Sequence, residues 1–424
     1  MKKILKSFSS VVISLFTLSI FGWMVFHIAE EDKNFGFLTT PIRFMYTFPD
    51  LFSQSVEEVK TLPKTFIPTP ENFKPINNLV SDLIVLSTYS DTRHSRSIVL
   101  LNLKNDSVLH KWTVKNPYQE HDRIKNPILF PGKSLVYSID CLTGLRKVDS
   151  LGNLIWVQDS IHHHHSMKLD KNGDIWVCSA EPVFQATGLY KLNSRKVFYT
   201  DNCITKIDAE TGRIIFHKSI TEILADNNLS GYILRSQYIL DPFHINDVEP
   251  AKKTTAYYKE NDLFISSRNL SLIIHYRPST NEVINTIDGP FASQHDVDFL
   301  NDSTLVIFNN NYYTIEENSS REPPKASIQP KFAGDFYSNI VRYDFHNNSF
   351  SFIGDSVFRA NKIFTMTEGL MEFINPTTYF VEEQNSGLLW VIKDKEVIYK
   401  NVLKSQHNGY HHLPNWTRII KYNE

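Results

Sequence analysis

Three cysteines, 15 glycines and a net charge of -2 are what this 424-residue chain has little of, and these scarcities close off several classes of protein. With 44 Lys and Arg against 46 Asp and Glu, and no basic block beyond the N-terminus, no global field draws in nucleic acid. No nucleic-acid partner is expected. Cys141, Cys178 and Cys203 make an odd count without a CxxC pair. Cys178 ends one predicted strand and Cys203 begins the next, which leaves one disulfide open to an exported chain; Cys141 would stay free. A phosphate-binding loop is rejected: Gly132-Lys133-Ser134 has its ending, but Pro127 stands where its first glycine belongs. Beside His162 to His165 there is no second cluster of His, Asp or Cys at ligand spacing, so neither a metal nor a cofactor is expected.

The first informative feature present is N-terminal. Lys2, Lys3 and Lys6 precede an uncharged apolar run from about Ser7 to Ile28. About 20 such residues, rising about 1.5 Å each in a helix, span the hydrocarbon of a bilayer. The run is long for a signal-peptide core and no small-x-small cleavage site follows it. Residues 1–33 therefore read as a cytoplasmic flank and an uncleaved transmembrane anchor, with a cleaved signal peptide as the alternative. Either reading exports the rest of the chain, to the periplasmic or extracellular side of the cell membrane. Residues 34–78 contain Pro41, Pro49, Pro63, Pro68, Pro70 and Pro75, with one candidate short helix near Ser53 to Lys60. Prolines at this density favour an extended linker.

From residue 79 to 424 the pattern is strand, turn, strand. With 42% hydrophobic and 13% aromatic residues, this region can bury a large core. Short β-rich runs return in sets of four, such as His244 to Val248, Leu263 to Ser266, Leu272 to Tyr276 and Val283 to Ile287. His295 to Phe299 opens the next set. The first set, from Leu83 to Trp112, is one strand short, and a lone strand near Trp416 to Ile420 is left over at the C-terminus. The expected fold class is all-β: a six-bladed β-propeller closed by the C-terminal strand, with a β-sandwich or β-helix as alternatives.

On that frame the first strand of each blade lines a channel, and its leading residue sits at one mouth. Those residues are His165, His244 and His295, with His412 leading the closing strand. Arg268 ends the second strand of the fourth blade and points to the same space. Imidazole serves as nucleophile, base, donor or ligand. A fixed guanidinium is awkward beside a metal and suits a tetrahedral oxyanion such as sulfate or phosphate. Glu249, Glu368 and Glu372 are further carboxylates near the channel, with structural or solvated roles favoured for each.

The segments His164-His165 before a Leu-Asp-x-x-Gly turn, Asp241-Pro242-Phe243-His244-Ile245-Asn246-Asp247, Ser266-Ser267-Arg268-Asn269 and Gln294-His295-Asp296 resemble those of the bacterial arylsulfotransferase family. The likeness runs from about Leu135 to Arg418. It implies a six-bladed propeller that moves a sulfuryl group from a phenolic sulfate ester to another phenol without a nucleotide donor. By the same resemblance His295 is the nucleophile that forms a sulfohistidine, Arg268, His244 and Asn246 hold the sulfuryl oxygens, and His165 assists the phenolic oxygen or the sulfuryl group. Four consecutive histidines leave the register open by one residue, so His164 joins His412 and Asn246 as a substrate-binding candidate. Ser166 stands where the family usually has an acid.

Two other functions compete with transfer between an aryl sulfate donor and a phenolic acceptor. One is a non-catalytic, membrane-anchored propeller that binds an anionic ligand or a protein; the other is a metal-dependent hydrolase or lyase. Nothing in the sequence sets the oligomeric state.

Overall fold

The computed structural model describes residues 2–30, 34–46, 62, 65–92, 95–115, 123–139, 143–180, 190–192, 195–197, 199–236, 238, 240–312 and 337–421. The candidate helix at Ser53 to Lys60 and Cys141 lie outside the described residues. The chain divides into two compact units, Met1–Pro63 and Lys64–Glu424.

In the first unit a helix runs from Lys2 to Glu30. Its segment Phe8–Ile28 is long and apolar enough to cross a membrane, and fits an anchor and a signal sequence equally well. The hydroxyls of Thr17 and Ser19 donate to the carbonyls of Ile13 and Leu15 at 2.9 Å each, so these two polar side chains are satisfied within the helix. Residues 36–46 form further helical turns.

The second unit is almost entirely antiparallel sheet, and its strands follow the four-membered sets. Ile245–Pro250, Leu263–Ser267, Leu272–Arg277 and Glu282–Asp288 make one sheet; His295–Asn301, Thr304–Asn309, Asn339–Asp344 and Ser349–Ile353 make another. Leu154–Leu169 is a single 16-residue strand that ends one set and begins the next, so two sets merge into a seven-stranded sheet from Ile124 to Ser219. Arg418–Ile419 pairs with Ile84–Ser90, so the first set takes its fourth strand from the C-terminus. The linker expected over 34–78 stops short of residue 79. Phe66–Pro68 pairs with Tyr410–His412, and Ile76–Asn77 pairs with Glu396–Lys404. Pro68 sits on an outermost strand, where its missing N–H costs nothing.

Alternation explains why the inner strands read as unbroken apolar runs. In Leu263–Ser267, Leu263 and Ile265 pack toward the preceding set with Cys178 and Ile204, whereas Phe264 packs toward the following set with Val297 and Leu305. Leu305 and Ile307 likewise face one neighbour and Val306 and Phe308 the other. Each strand thus buries both faces, and each such side chain contributes about 1.5–3 kcal/mol. The same alternation settles the cysteines. Ser179 lies opposite Cys203 and Cys178 opposite Ile204, which puts the two thiols on opposite faces of the sheet. Both are free and buried, so the disulfide that the sequence left open does not form.

First strands pack on first strands: Leu154–Leu169 against Ile124–Leu129 and Ile245–Pro250, His295–Asn301 against Ile245–Pro250 and Leu370–Asn375, and Leu370–Asn375 against Arg418–Ile419. Their N-terminal ends are irregular in a shared way. Pairing slips by one residue between Lys125 and Ile128, between Ile245 and Asp247, and between His295 and Val297, and by two between His163 and Met167. Left-handed backbone marks the same places at Asn126 (φ 45°), His165 (φ 58°), His244 (φ 44°) and Asp296 (φ 43°). Bulges of this kind re-aim side chains.

Candidate functional site

The irregular ends bring His165, His244 and His295 together. The His165 ring lies 4.8 Å from that of His244 and 6.1 Å from that of His295, centroid to centroid. Hydrogen bonding fixes how each is protonated. His295 Nδ1 is 2.7 Å from Asn310 Oδ1 and 3.1 Å from the Ser293 carbonyl, which can only accept. The proton therefore sits on Nδ1 and Nε2 keeps its lone pair. Asn310 is itself held in that orientation, because its Nδ2 donates to the carbonyls of Thr365 and Glu368 at 3.0 and 2.7 Å. Burial and then the Arg268 guanidinium lower His295 to about 3, so the imidazole is neutral at neutral pH.

The other two rings follow the same logic. His164 Nε2 faces the Ser179 carbonyl at 3.1 Å and so donates; its Nδ1 then accepts from His165 Nδ1 at 2.9 Å. This relay leaves the lone pair of His165 on Nε2. Burial first, then the Lys125 ammonium, holds His165 well below its usual range. Burial and then His244 bring His164 to about 3. His244 Nδ1 donates to Asp241 Oδ2. Burial works against the Asp241 charge, but the His244 hydrogen bond and the neighbouring imidazoles hold its carboxyl below the usual range. Asn202 ties Asp241 to the Ile245 backbone, donating to the carboxylate at 3.3 Å and accepting from Ile245 N at 2.7 Å.

Arg268 follows the strand Leu263–Ser267, and its backbone N–H donates to the His244 carbonyl at 3.1 Å. Its guanidinium donates to Asn269 Oδ1 at 2.8 Å. Asn246, two residues after His244 and only 2% exposed, donates from Nδ2 to the carbonyl of Gln294, the residue before His295, at 2.7 Å. Of the proposed residues, His164, His165, His244, Asn246, Arg268 and His295 are brought together.

His412 is not. Its ring stacks on Tyr89 at 4.2 Å and tilts against Phe66 at 5.0 Å. The physical reason is an extra strand. Tyr410–His412 pairs with Leu403–Lys404 and Phe66–Pro68, whereas the strand that joins the first set begins later, at Arg418. The residue delivered from the C-terminal segment is Trp416 (φ 50°), whose ring is 6.0 Å from that of His165. Asn415 and Thr417 pin it in place through Ile124 O at 2.6 Å and Ser87 Oγ at 2.7 Å.

Sequence reasoning gave no role to four further residues. Asp241 stands inside a motif already singled out. Asn310 follows its set's second strand as Arg268 follows that of the preceding set, so the repeat itself carried the signal. Lys125 had none, and Glu368 was one of three carboxylates placed near the channel with a structural or solvated role favoured. Lys125 is 5% exposed, lies over the Trp416 ring at 5.3 Å, and sits 4.0 Å from Glu368 Oε1, which also takes a 2.7 Å bond from Arg123. Glu368 (φ 59°) and Gly369 (φ 89°) turn the chain here; a Cβ at Gly369 would meet Thr365 Cγ2 at 2.5 Å and Phe308 at 2.6 Å.

Further along the same strands lies a different cluster. Lys168 Nζ is 2.6 Å from Asp298, 3.3 Å from Asp296, 3.5 Å from Glu249 and 3.8 Å from Asp247. Lys168, Glu249, Asp296 and Asp298 border a cavity of about 490 Å³ that also touches Met167, Glu372 and Arg418. Among the described residues no group of three or more His, Cys, Asp or Glu is arranged to hold a metal ion.

Several known proteins resemble this chain. In structure it is similar to a protein of unknown function from Bacteroides caccae (TM-score 0.50, 10% identity, 81% of this chain and 100% of that one). Weaker likenesses are to virginiamycin B lyase from Staphylococcus aureus (TM-score 0.42, 10% identity, 81% and 88%) and the Dos1 propeller (TM-score 0.38, 9% identity, 80% and 77%). At these identities the likeness concerns the fold alone, a mostly-β one. Among curated proteins none matches in sequence. The family model described as arylsulfotransferase (ASST) matches residues 128–398, which spans the histidine site, and the chain therefore belongs to the arylsulfotransferase family.

Proposed function

We propose that the chain transfers a sulfuryl group from a phenolic sulfate ester to a phenolic acceptor through a sulfohistidine at His295, with no nucleotide donor. The observation that carries this reading is the His295 imidazole itself: neutral, buried, with Nδ1–H committed to Asn310 and Ser293 and Nε2 left as the nucleophilic atom. Nε2 attacks sulfur and the aryl oxygen departs. The acceptor phenol then attacks the sulfohistidine and regenerates the imidazole. Arg268, His244 and the Asn246 amide hold the sulfuryl oxygens, where fixed positive charge and donors lower both barriers. His165, with its lone pair on Nε2, takes the proton of the acceptor phenol. The frame is a six-bladed propeller closed by the C-terminal strand, a reading supported by the packing of first strand on first strand. The N-terminal helix anchors it with the sheet region outside the cytoplasm.

Incubating the protein with an aryl sulfate, then with a phenol, tests the reading. It expects release of the first phenol in the absence of acceptor, a protein heavier by one sulfuryl group, and ping-pong kinetics. Loss of the adduct in His295→Ala with chelator having no effect supports it. Absence of turnover with any aryl sulfate favours a binding propeller instead, and chelator-sensitive turnover favours a metal enzyme.

A further inference from the structure

With His244 engaged on the sulfuryl oxygens, the first half of this reaction leaves one requirement unmet by His165 and His295. When the S–O bond to the aryl oxygen breaks, its electron pair goes to that oxygen, which needs a proton or a cation beside it. His165 and His295 are neutral with lone pairs on Nε2, so neither has a proton there to give. Arg268 supplies charge but does not release a proton at ordinary pH. An ammonium supplies both.

Lys125 is placed to do so. It comes from the strand Ile124–Leu129, a different set from those of Arg268 and His295. A chain of contacts ties it to the nucleophile: Lys125 Nζ to Glu368 Oε1 at 4.0 Å, the Glu368 carbonyl to Asn310 Nδ2 at 2.7 Å, and Asn310 Oδ1 to His295 Nδ1 at 2.7 Å. It also lies over the Trp416 ring at 5.3 Å, and that ring is 6.0 Å from His165. Of all charged neighbours, Lys125 acts most strongly on His165. Glu368 and Trp416 bracket the same space: Glu368 Oε2 is buried without a protein partner, and Trp416 offers an aromatic surface beside the ammonium.

We propose that Lys125 is a further catalytic residue of this site, the cation and proton donor for the departing phenolate oxygen, while Arg268 holds the sulfuryl oxygens. This rests on the sulfuryl-transfer reading above. In the first step the S–N bond to His295 Nε2 forms as the S–O(aryl) bond breaks, and one proton passes from the Lys125 ammonium to the aryl oxygen. In the second step the acceptor phenol's oxygen bonds to sulfur as the S–N bond breaks, and the phenol's proton passes through His165 to the Lys125 amine. Atoms and charge are then as they began.

The test is how the rate depends on the leaving group. Wild type, Lys125→Met and Lys125→Arg are compared on aryl sulfates from para-nitrophenyl, whose phenolate needs little help, to phenyl, whose phenolate needs much. Lys125→Met should lose about 10-fold on the nitrophenyl ester and roughly 1,000-fold on phenyl sulfate. Lys125→Arg, which keeps the charge, should recover part of the difference on phenyl sulfate. Should Lys125→Met fail to fold, Lys125→Gln, which keeps a donor beside Glu368, takes its place. An equal loss across the series, or a steeper leaving-group dependence in His244→Ala than in the Lys125 variants, overturns the assignment. Wild-type turnover with parallel slopes brings down this proposal alone. If the wild-type protein turns over no aryl sulfate, the parent reading falls and this one with it.

Discussion

At one end of the first strands, His165, His244 and His295 meet, His165 and His295 as neutral imidazoles; further along the same strands, Lys168 is ringed by Asp247, Glu249, Asp296 and Asp298. Each group gathers side chains from the same three strands, although His165 and Lys168, His244 and Asp247, and His295 and Asp298 are each an odd number of residues apart. In a regular strand an odd spacing puts side chains on opposite faces. In the strands of His244 and His295 one extra residue at the bulge resets the alternation between the two clusters, and in Leu154–Leu169 His165 lies within a longer irregularity that puts two extra residues between His163 and Met167. Backbone irregularities therefore give three strands two layers of polar side chains. The layers differ in how they handle burial. At the histidine end burial keeps His165 and His295 neutral, whereas at the other end burial raises Glu249 and Asp296 so that they hold their protons, beside a Lys168 whose ammonium the surrounding carboxylates favour.

The sharpest way to break the comparison is to substitute one residue in each layer. His295→Ala should reduce sulfuryl transfer by roughly 1,000-fold or more with little effect on folding, whereas Glu249→Gln should leave transfer within about 3-fold. Equal effects in steady-state assays would mean that the two layers are not separate. Stability should answer in the opposite sense. Lys168→Met strands buried carboxylates without their cation and should cost about 3–5 kcal/mol in denaturant unfolding, far more than His295→Ala.

A finer contrast concerns Asn310. Asn310→Leu removes the acceptor that holds the proton on His295 Nδ1 and should lower transfer about 10–100-fold, through the imidazole's orientation. Asn310→Asp supplies a carboxylate instead and should move the acid limb of the pH–rate profile upward by stabilising the imidazolium. A profile unchanged in Asn310→Asp would show that the contact does not govern His295.

The smallest expected effect is on stability against pH. His164 and His295 sit at about 3 when folded against 6.5 for a free imidazole, so the unfolded chain takes up protons first and stability falls as pH drops from 6.5 toward 3. Glu249 and Asp296 are raised by burial and by neighbouring carboxylates to about 8, from 4.5 and 3.8. The folded state holds those protons longer, so their contribution is present at low pH and is lost as pH rises toward 8. Melting temperature should therefore decline on both sides of a maximum. Glu249→Gln should flatten the alkaline decline and leave the acid one unchanged, as calorimetry across pH would show.

Much of this was legible before any coordinates. The strand sets were readable because Leu263–Ser267 and its counterparts are short apolar runs bounded by Asp, Asn and Ser, and the C-terminal strand was needed to fill out the first set. His165, His244 and His295 could be grouped because each precedes a strand of the same kind. What misled was His412, which stands ahead of the last strand exactly as a site residue would. An inserted strand pairing with Phe66–Pro68 took it elsewhere, and no local pattern announces an inserted strand. Lys125 was invisible, and Glu368 read as a structural or solvated carboxylate, for a related reason: a lysine and a glutamate in a β-rich sequence look solvated until packing buries them.

By itself the sequence determined the apolar N-terminal helix, the antiparallel sheet sets and the family, because these depend on hydrophobic period and on motifs carried in short segments. Only the tertiary structure decided which nitrogen of each imidazole is free, that Asn310 sets it for His295, and that Lys125 and Trp416 stand beside the histidines. Those facts depend on hydrogen-bond partners and burial contributed by strands far apart in the chain, and local pattern carries no information about who those partners are.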